Sequence, residues 1–245
     1  MCTVSVIATS AMLRLVSNRD EQRTRARAFP PSLLTFDGVR VLAPLDPESG
    51  GTWIACNELG LAVSLLNVNP PRPSTVAPPK SRGLIVPQLA GCRSLDEVCE
   101  RTLAIDSRDY APFRLVAVQG SNAVEIEPSK RTITRKHLDA PLMLTSSGLG
   151  DHEVEGPRRK LFDELMGKGF DLYEQQDVFH AHRWSDTPHL SVDMARVDAW
   201  TVSRTIVEVR PDRVTMTYAA EPTWVPASID LRRVGVNRQR DENST

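Results

Sequence analysis

Short runs of apolar and β-branched residues recur along the chain and predict a protein built mainly from β-strands. The first two runs, at residues 3–8 and 12–16, are separated by a few residues and predict a hairpin. Further strands are predicted at residues 39–42, 52–56, 61–66, 113–119, 123–126, 142–145, 202–209 and 214–218. Short polar connections at residues 57–60, 120–122 and 211–213 favour antiparallel pairing of neighbouring strands.

Helical patterns are fewer and lie between the strands. Ser94 followed by Glu97 forms a capping box ahead of an apolar stripe, which predicts a helix there. A second helix is predicted to begin at Pro157 and to stop at Gly167 or Gly169. Runs of strands with helices inserted between them predict an α+β fold in which two antiparallel sheets are covered by helices.

Length and composition fit one domain. The chain has 245 residues, of which 40% are apolar, enough to bury a large core. We expect a single domain over residues 1–226. Residues 227–245 are charged and polar with little periodicity, which predicts a polar C-terminal extension.

Charge and hydropathy limit the classes of partner. The formal net charge is -1 and basic residues are spread along the chain, so nothing predicts binding to nucleic acid or to an anionic membrane. No run approaches the roughly 18 apolar residues of a spanning helix, and no positively charged leader precedes the first apolar run. We expect a cytoplasmic protein with a small-molecule substrate or ligand. The sequence leaves its oligomeric state open.

Metal and cofactor chemistry is not indicated. The cysteines at positions 2, 56, 92 and 99 form neither a CxxC pair nor a zinc-ligand spacing, so reduced thiols are expected. His180, His182 and His189 lie near several aspartates, but no cysteine or glutamate completes a recognised metal site. The nucleophile elbow of serine hydrolases and the spacing of a dinucleotide fingerprint are both missing. The sequence therefore predicts no metal and no cofactor.

The most distinctive chemistry lies at the second residue. Removal of Met1 would make Cys2 the N-terminal residue, with a thiol and a free α-amine on the same residue. An unperturbed α-amine titrates at about pH 7.7–8.0 and a thiol at about pH 8.5, so the amine can act as the base for the thiol. Cys2 is thus a candidate nucleophile that needs no histidine. The alternative is a buried cysteine on a core strand that is followed by a charged loop.

The predicted hairpin brings a charged segment opposite Cys2. A loop at residues 9–10 would pair Cys2 with Ser17, and a loop at residues 10–11 would pair it with Arg19. Arg19 would favour the thiolate, and the Asp20 carboxylate would hold or orient the amine. Because adjacent strand residues point to opposite faces, both can serve Cys2 only if the strand ends or bulges there.

A set of short motifs spread over most of the chain resembles one protein family. These motifs are Met1-Cys2, Asn18-Arg19-Asp20-Glu21, Gly50-Gly51-Thr52-Trp53, Asn67 before a proline-rich loop, Ser81-Arg82-Gly83, Leu144-Thr145-Ser146-Ser147 and residues 201–207. In this combination the chain resembles the NRDE family, which includes the transport and Golgi organisation 2 proteins, as far as about Tyr218. That family is similar to the N-terminal nucleophile hydrolases, which include penicillin V acylase and bile salt hydrolase.

The resemblance implies a four-layer αββα sandwich and a set of site residues. Cys2 would be the nucleophile, with Arg19 and Asp20 as its charged neighbours. The implied substrate-binding or oxyanion residues are Asn18, Asn67, Arg82, Ser146 and Arg204.

Two positions depart from the pattern of the relatives. Ser146 stands where the acylases carry an asparagine that helps to hold the oxyanion. Many family members have a Gly-Thr-Arg-Ser stretch whose arginine corresponds to Val202, and here the arginine is Arg204. A shift of two residues along a regular strand keeps a side chain on the same face. Arg204 is therefore expected either to reach the site or to be a solvated strand residue.

The resemblance also implies two classes of function. The first is an N-terminal-cysteine hydrolase that cleaves the C–N bond of a small acyl amide. The second is a protein of the same fold that binds and carries haem, a lipid or acyl-CoA without turnover, because family members have been linked to haem mobilisation and to lipid metabolism. The proline-rich segment at residues 67–83 is expected to form a binding loop beside the Cys2 pocket.

Overall fold

Two antiparallel β-sheets form the centre of the computed structural model, which describes residues 2–69, 80–169 and 171–234. The strands within these residues are β1 (Cys2–Ala8), β2 (Leu13–Gln22), β3 (Phe29–Phe36), β4 (Val39–Leu45), β5 (Ile54–Asn57), β6 (Leu61–Asn67), β7 (Phe113–Gln119), β8 (Asn122–Glu127), β9 (Thr132–His137), β10 (Leu142–Thr145), β11 (Ala199–Val209), β12 (Arg213–Ala220) and β13 (Ala227–Arg232). One sheet has the order β10-β1-β2-β11-β12-β13, and the other runs from β3 to β9 in chain order.

Two pairs of helices cover the outer faces of the sheets. The helices are α1 (Ile85–Ala90), α2 (Leu95–Ala104), α3 (Asp151–Met166) and α4 (Leu172–Ala181), with single 3-10 turns at Arg82–Leu84, Ser107–Asp109 and Pro128–Lys130. α1 and α2 pack on the seven-stranded sheet, whereas α3 and α4 pack on the six-stranded sheet. The four layers confirm the predicted α+β sandwich. No helix of the described residues has the length and the apolar character needed to cross a membrane.

Strand β1 shows how the layers divide the side chains. Cys2, Val4 and Val6 belong to the core between the two sheets. Thr3 and Ser5 alternate with them and make hydrogen bonds to α3 and α4. All five are buried because the sheet is covered on both faces, so the strand shows no alternation between buried and exposed positions.

The register of the first hairpin is one of the two that the sequence allowed. Ala8 pairs with Leu13 and Cys2 pairs with Arg19, so the loop is centred on residues 10–11. Thr9 supports this turn, since its hydroxyl accepts hydrogen bonds from the backbone N–H groups of residues 11 and 12. The first residue of β1 therefore lies directly across from the charged end of β2.

The prediction that the second helix begins at Pro157 is wrong. α3 begins six residues earlier, at Asp151, and Pro157 lies inside it. Val154 in the first turn is fully buried, so packing against the sheet extends the helix upstream of the proline. The predicted stop at Gly167 is confirmed, as is the Ser94 cap of α2, whose hydroxyl accepts from the Glu97 N–H at 3.2 Å.

Several elements carry little sequence signal. β3 contains Pro30 and Pro31 and is an edge strand with mostly exposed or half-buried residues. β13 lies inside the predicted C-terminal extension, where it pairs with β12 and buries Leu231 in the core. The rest of that extension, residues 235–245, lies outside the described residues.

The centre of the predicted binding loop and the first residue also lie outside the described residues. This applies to Met1 and to Pro70, Pro71, Pro73, Pro78 and Pro79. The two flanks of the loop are described, and both reach the cavity beside Cys2, through Asn67 and Arg82.

A buried polar cluster centred on His180 joins α4 to the six-stranded sheet. His180 Nε2 lies 2.7 Å from Ser5 Oγ, and Nδ1 lies 3.1 Å from Asn18 Oδ1. Burial lowers the pKa of His180 well below its usual 6.5, and the positive charges of Arg204 and two further arginines act in the same direction. His180 is therefore neutral in the folded protein at neutral pH.

We expect this histidine to make the fold sensitive to acid. The unfolded chain takes up a proton at His180 below pH 6.5 whereas the folded chain does not, so stability falls as pH decreases through that value. One such proton contributes a slope of about 1.4 kcal/mol per pH unit. Urea unfolding between about pH 7.5 and pH 5 measures how the free energy of unfolding depends on pH in wild type and in His180→Gln. The variant should lack the slope that the His180 proton contributes.

His152→Gln is the matched control, because the side chain of His152 is 70% exposed. This variant should keep the wild-type slope. An unchanged slope in His180→Gln would show that the buried histidine is not the titrating group.

Candidate active site

A cavity of about 200 Å³ opens between the two sheets at the N-terminal end of β1. Cys2 and the charged end of β2 form one wall, and the segment around Arg82 forms another. The residues that line the cavity are Cys2, Arg19, Glu21, Arg25, Asp46, Ser49, Thr52, Trp53, Leu65, Asn67, Ser81, Arg82 and Gly83. The lining combines a thiol, three guanidinium groups and two carboxylates, so it can hold a polar ligand beside a nucleophile.

Cys2 is held by Ser146, which follows the last residue of β10. The backbone nitrogen of Cys2 donates to Ser146 Oγ at 3.1 Å, and the Cys2 carbonyl accepts from the Ser146 N–H at 2.9 Å. Ser146 is fully buried and Cys2 is 5% exposed. Burial raises the pKa of the Cys2 thiol, and the charge of Asp20 adds to this effect while that of Arg19 opposes it. An unassisted thiol at this position therefore stays protonated at neutral pH.

Arg19 enters the cavity but is already paired with a carboxylate. Its Nη2 lies 2.6 Å from Asp46 Oδ2, and its guanidinium carbon lies 4.5 Å from the centroid of the Trp53 ring. Arg25 Nε contacts the same Asp46 oxygen at 2.9 Å. Burial alone would raise the pKa of Asp46, but the hydrogen bond from Arg25 and the charge of Arg19 outweigh it and lower the pKa. Asp46 stays ionised and offsets much of the positive charge beside Cys2.

Asp20 lies on the other face of the sheet. Its Oδ1 accepts a hydrogen bond from Thr201 Oγ1 at 2.6 Å, which in turn accepts from the Met194 N–H at 2.8 Å. Burial raises the pKa of Asp20, and the nearby charge of Arg158 opposes the shift. Because β2 itself stays regular, Arg19 points into the cavity and Asp20 points toward the helices. From this position the charge of Asp20 adds to the rise in the pKa of the Cys2 thiol.

Asn18 and Arg204 lie on the same face of the six-stranded sheet as Asp20, which is the face that α3 and α4 cover. Asn18 Nδ2 donates to the His180 carbonyl at 2.8 Å and to the Val192 carbonyl at 3.0 Å. Arg204 donates to Asn18 Oδ1 at 3.2 Å and to the His180 carbonyl at 2.6 Å. The structure does not bring these two predicted site residues to the cavity, and Arg204 is bound rather than solvated.

A β-bulge explains why Arg204 and Val202 face different sides. The register of β11 against β2 shifts between Thr201 and Ser203. Val202 lines a second cavity of about 120 Å³ next to Arg19, whereas Arg204 contacts α4. Two residues that are two positions apart lie on the same face only in a regular strand. The bulge breaks this regularity, so the expectation that Arg204 lies on the same face as Val202 is wrong.

Two of the sequence motifs meet at the wall opposite Cys2. A Cβ atom at Gly51 would lie 2.3 Å from the carbonyl carbon of Gly83, so only glycine allows this approach. The Thr52 N–H donates to the Gly83 carbonyl at 3.0 Å. Arg82, the residue before Gly83, is thereby fixed at the cavity, where it donates to the Pro112 carbonyl at 2.9 Å. Asn67 reaches the same cavity from the end of β6.

Sequence reasoning missed Asp46 and Arg158. Asp46 lies four positions before the Gly50-Gly51 pair of the family motif, and this proximity could have marked it as a candidate site residue. Arg158 is 1% exposed, and its Nη1 lies 2.7 Å from both Thr3 Oγ1 and Thr145 Oγ1. These threonines are the neighbours of Cys2 and Ser146, so Arg158 links the two strands that carry Cys2 and Ser146. A charged residue in the middle of a polar helix gave no sign of this role.

Other arrangements do not form open sites. Ser5, His180 and Asn18 have the order of a nucleophile, a base and an orienting group, but each is fully buried and Ser5 Oγ also accepts from Gln176 at 2.8 Å. In the described ranges, no group of three or more His, Cys, Asp or Glu side chains is placed to hold a metal ion.

Comparisons with known proteins agree with this architecture. The family model described as Transport and Golgi organisation 2 matches residues 1–180. No curated protein gives a significant match to the sequence.

Among solved structures, the fold is similar to that of the Caenorhabditis elegans ortholog of N-acylethanolamine-hydrolyzing acid amidase. That pair has a TM-score of 0.57 and 12% identity over 84% of this chain and 92% of the amidase. Two single-residue variants of the conjugated bile acid hydrolase from Clostridium perfringens give TM-scores of 0.53 and 0.55. They are 13% and 14% identical, over 94% of this chain and 92% of each hydrolase chain.

These neighbours share the fold of N-terminal nucleophile hydrolases, and the family match covers well over half of the sequence. The chain therefore belongs to the Transport and Golgi organisation 2 family.

Proposed function

We propose that the protein is an N-terminal-cysteine hydrolase that cleaves the C–N bond of a small acyl amide. The observation that carries this proposal is the position of Cys2, whose nitrogen bonds to Ser146 Oγ at 3.1 Å beside the cavity. Met1, which must be removed to free this nitrogen, lies outside the described residues. Once freed, the same nitrogen is an α-amine next to the thiol.

The electrostatics of Cys2 support a role for that amine. Since burial raises the pKa of the thiol, Cys2 needs a base to form a thiolate at neutral pH. His180 is turned away on the helix face, and Asp46 is occupied by Arg19 and Arg25. The α-amine of Cys2 can therefore serve as the base for the thiol of the same residue. Ser146 Oγ can accept a hydrogen bond from this amine and so orient it.

The proposed reaction has two halves. In the first, the Cys2 sulfur attacks the acyl carbon while its proton passes to the α-amine. The C–N bond then breaks, and the leaving amine takes that proton, which leaves a thioester. In the second, water attacks the thioester as the α-amine takes a proton from it, and the carboxylic acid leaves as the sulfur regains a proton. Asn67 lines the cavity and supplies a donor for the oxyanion.

The size of the cavity and the similar solved structures both favour a hydrolase of small acyl amides. A volume of about 200 Å³ with charged walls suits a small polar acyl group better than haem or a long acyl chain. The two structural neighbours named above are described as an amidase and a hydrolase of conjugated bile acids. Their identity to this chain is 14% or less, so they support the fold and motivate the class of reaction.

We expect Cys2→Ala to abolish hydrolysis. Release of primary amine from a panel of short and medium N-acyl amides should fall by more than about 100-fold, because the nucleophile is lost. Cys56→Ala is the matched control. Cys56 is a thiol of the same core, 1% exposed, whose pKa burial raises to about 12, and it does not line the cavity. This control should keep its activity.

Turnover that survives in Cys2→Ala would contradict the proposed nucleophile. Absence of turnover in wild type, together with a haem Soret band that shifts in Cys2→Ala, would favour the carrier alternative instead.

The role of the α-amine has its own test. A leader that ends directly before Cys2, with a site-specific protease site at the junction, leaves the thiol in place but converts the amine into an amide. We expect the uncut protein to be about 10²- to 10⁴-fold less active than the same protein after cleavage, because a general base contributes about that much. Equal kcat/KM before and after cleavage would show that the amine is not the base.

A further inference from the structure

Of the three arginines that line the Cys2 cavity, two form ion pairs with carboxylates of the described residues and Arg82 forms none. Arg19 and Arg25 both contact Asp46, and both also lie within ion-pair distance of Glu21, at 3.4 and 3.6 Å. Glu48 adds a further contact to Arg25 at 3.5 Å. The carboxylates that line or flank the cavity thus form their ion pairs with two of its three arginines.

Arg82 lines the same cavity, and its contacts differ from those of the two paired arginines. Its one hydrogen bond to another described residue is to a neutral acceptor, the Pro112 carbonyl at 2.9 Å, and no carboxylate of the described residues forms an ion pair with it. It is partly buried, and burial lowers its pKa, while the charges of Cys2 and Glu21 oppose part of this shift. A guanidinium has five N–H donors, so most of its hydrogen-bonding capacity is left for a ligand.

The position of Arg82 is fixed rather than adaptable. Gly51 packs directly on the backbone of Gly83, and the Thr52 N–H binds the Gly83 carbonyl. The Ser81 hydroxyl accepts from the Gly83 N–H at 3.3 Å and closes the turn. Arg82 is therefore presented to the cavity by a rigid segment, across from Cys2.

We propose that the substrate of this site carries a carboxylate, which pairs with Arg82 while Cys2 attacks the amide. This inference rests on the proposed function, because it places the same substrate in the same cavity. A guanidinium that has no ion-pair partner among the described residues matches a single negative charge. Its planar pair of donors matches the two oxygens of a carboxylate. Arg82 then determines specificity for acidic amides over neutral ones.

The test uses binding, so that it does not depend on turnover. Titration calorimetry on the untagged protein compares hexanoate with 1-hexanol, a neutral probe that has no bond for the proposed hydrolase to cleave. A charge-assisted hydrogen bond should favour hexanoate by about 10- to 100-fold. Arg82→Gln should remove this preference, and Arg82→Lys should restore part of it because it keeps the charge.

Arg108→Gln is the matched control, since it removes one positive charge from an exposed ion pair with Asp106, far from the cavity lining. It should keep the wild-type preference. Because the comparison of hexanoate and 1-hexanol in wild type needs no variant, a misfolded Arg82→Gln protein would not prevent the test.

Equal affinity of wild type for the two probes would overturn the proposal, as would a preference that survives in folded Arg82→Gln. Tighter binding of hexyl phosphate than of hexanoate would overturn the assignment to a carboxylate. If amides are hydrolysed but the probes bind equally, this inference fails and the hydrolase stands. If hexanoate is preferred but no amide is cleaved, the proposed hydrolase activity is wrong, and the proposal that the site binds an anionic ligand is supported.

Discussion

The paired hydrogen bonds between Cys2 and Ser146 are the constraint on which the site depends. They tie the first residue of β1 to the end of β10, while the register with β2 sets Arg19 across from the same residue. Cys2 is therefore held from both neighbouring strands at the rim of a cavity. Cys2 is held in place because its strand lies between two hydrogen-bonded neighbours, β10 and β2.

The division of β2 into two faces decides which charged residues can touch a ligand. Arg19 faces the cavity and is neutralised by Asp46, whereas Asp20 and Asn18 face the helices and support the sheet from behind. Arg158 completes this support through the threonines beside Cys2. The residues of the Asn18-Arg19-Asp20-Glu21 tetrad are thus divided between the cavity face and the helix-covered face of the sheet, as strand geometry requires.

The sequence predicted the layered fold and singled out Cys2 as a candidate, but it did not predict the full geometry of the site. Apolar runs and short turns were enough for the two sheets, because strand period and turn chemistry are local. The hairpin register stayed open because its turn has no glycine, asparagine or proline. The bulge at Val202, the partnership of Arg19 with Asp46 and the buried Arg158 depend on contacts between distant segments, which no local pattern encodes.

The central claim is that the nitrogen bonded to Ser146 becomes a free α-amine. The most direct measurement is the intact mass of protein expressed without an N-terminal tag, before and after brief treatment with limiting iodoacetamide. The account predicts a mass that lacks one methionine residue and a single fast alkylation that maps to Cys2. Retention of Met1 would leave that nitrogen as an amide and would contradict the hydrolase mechanism.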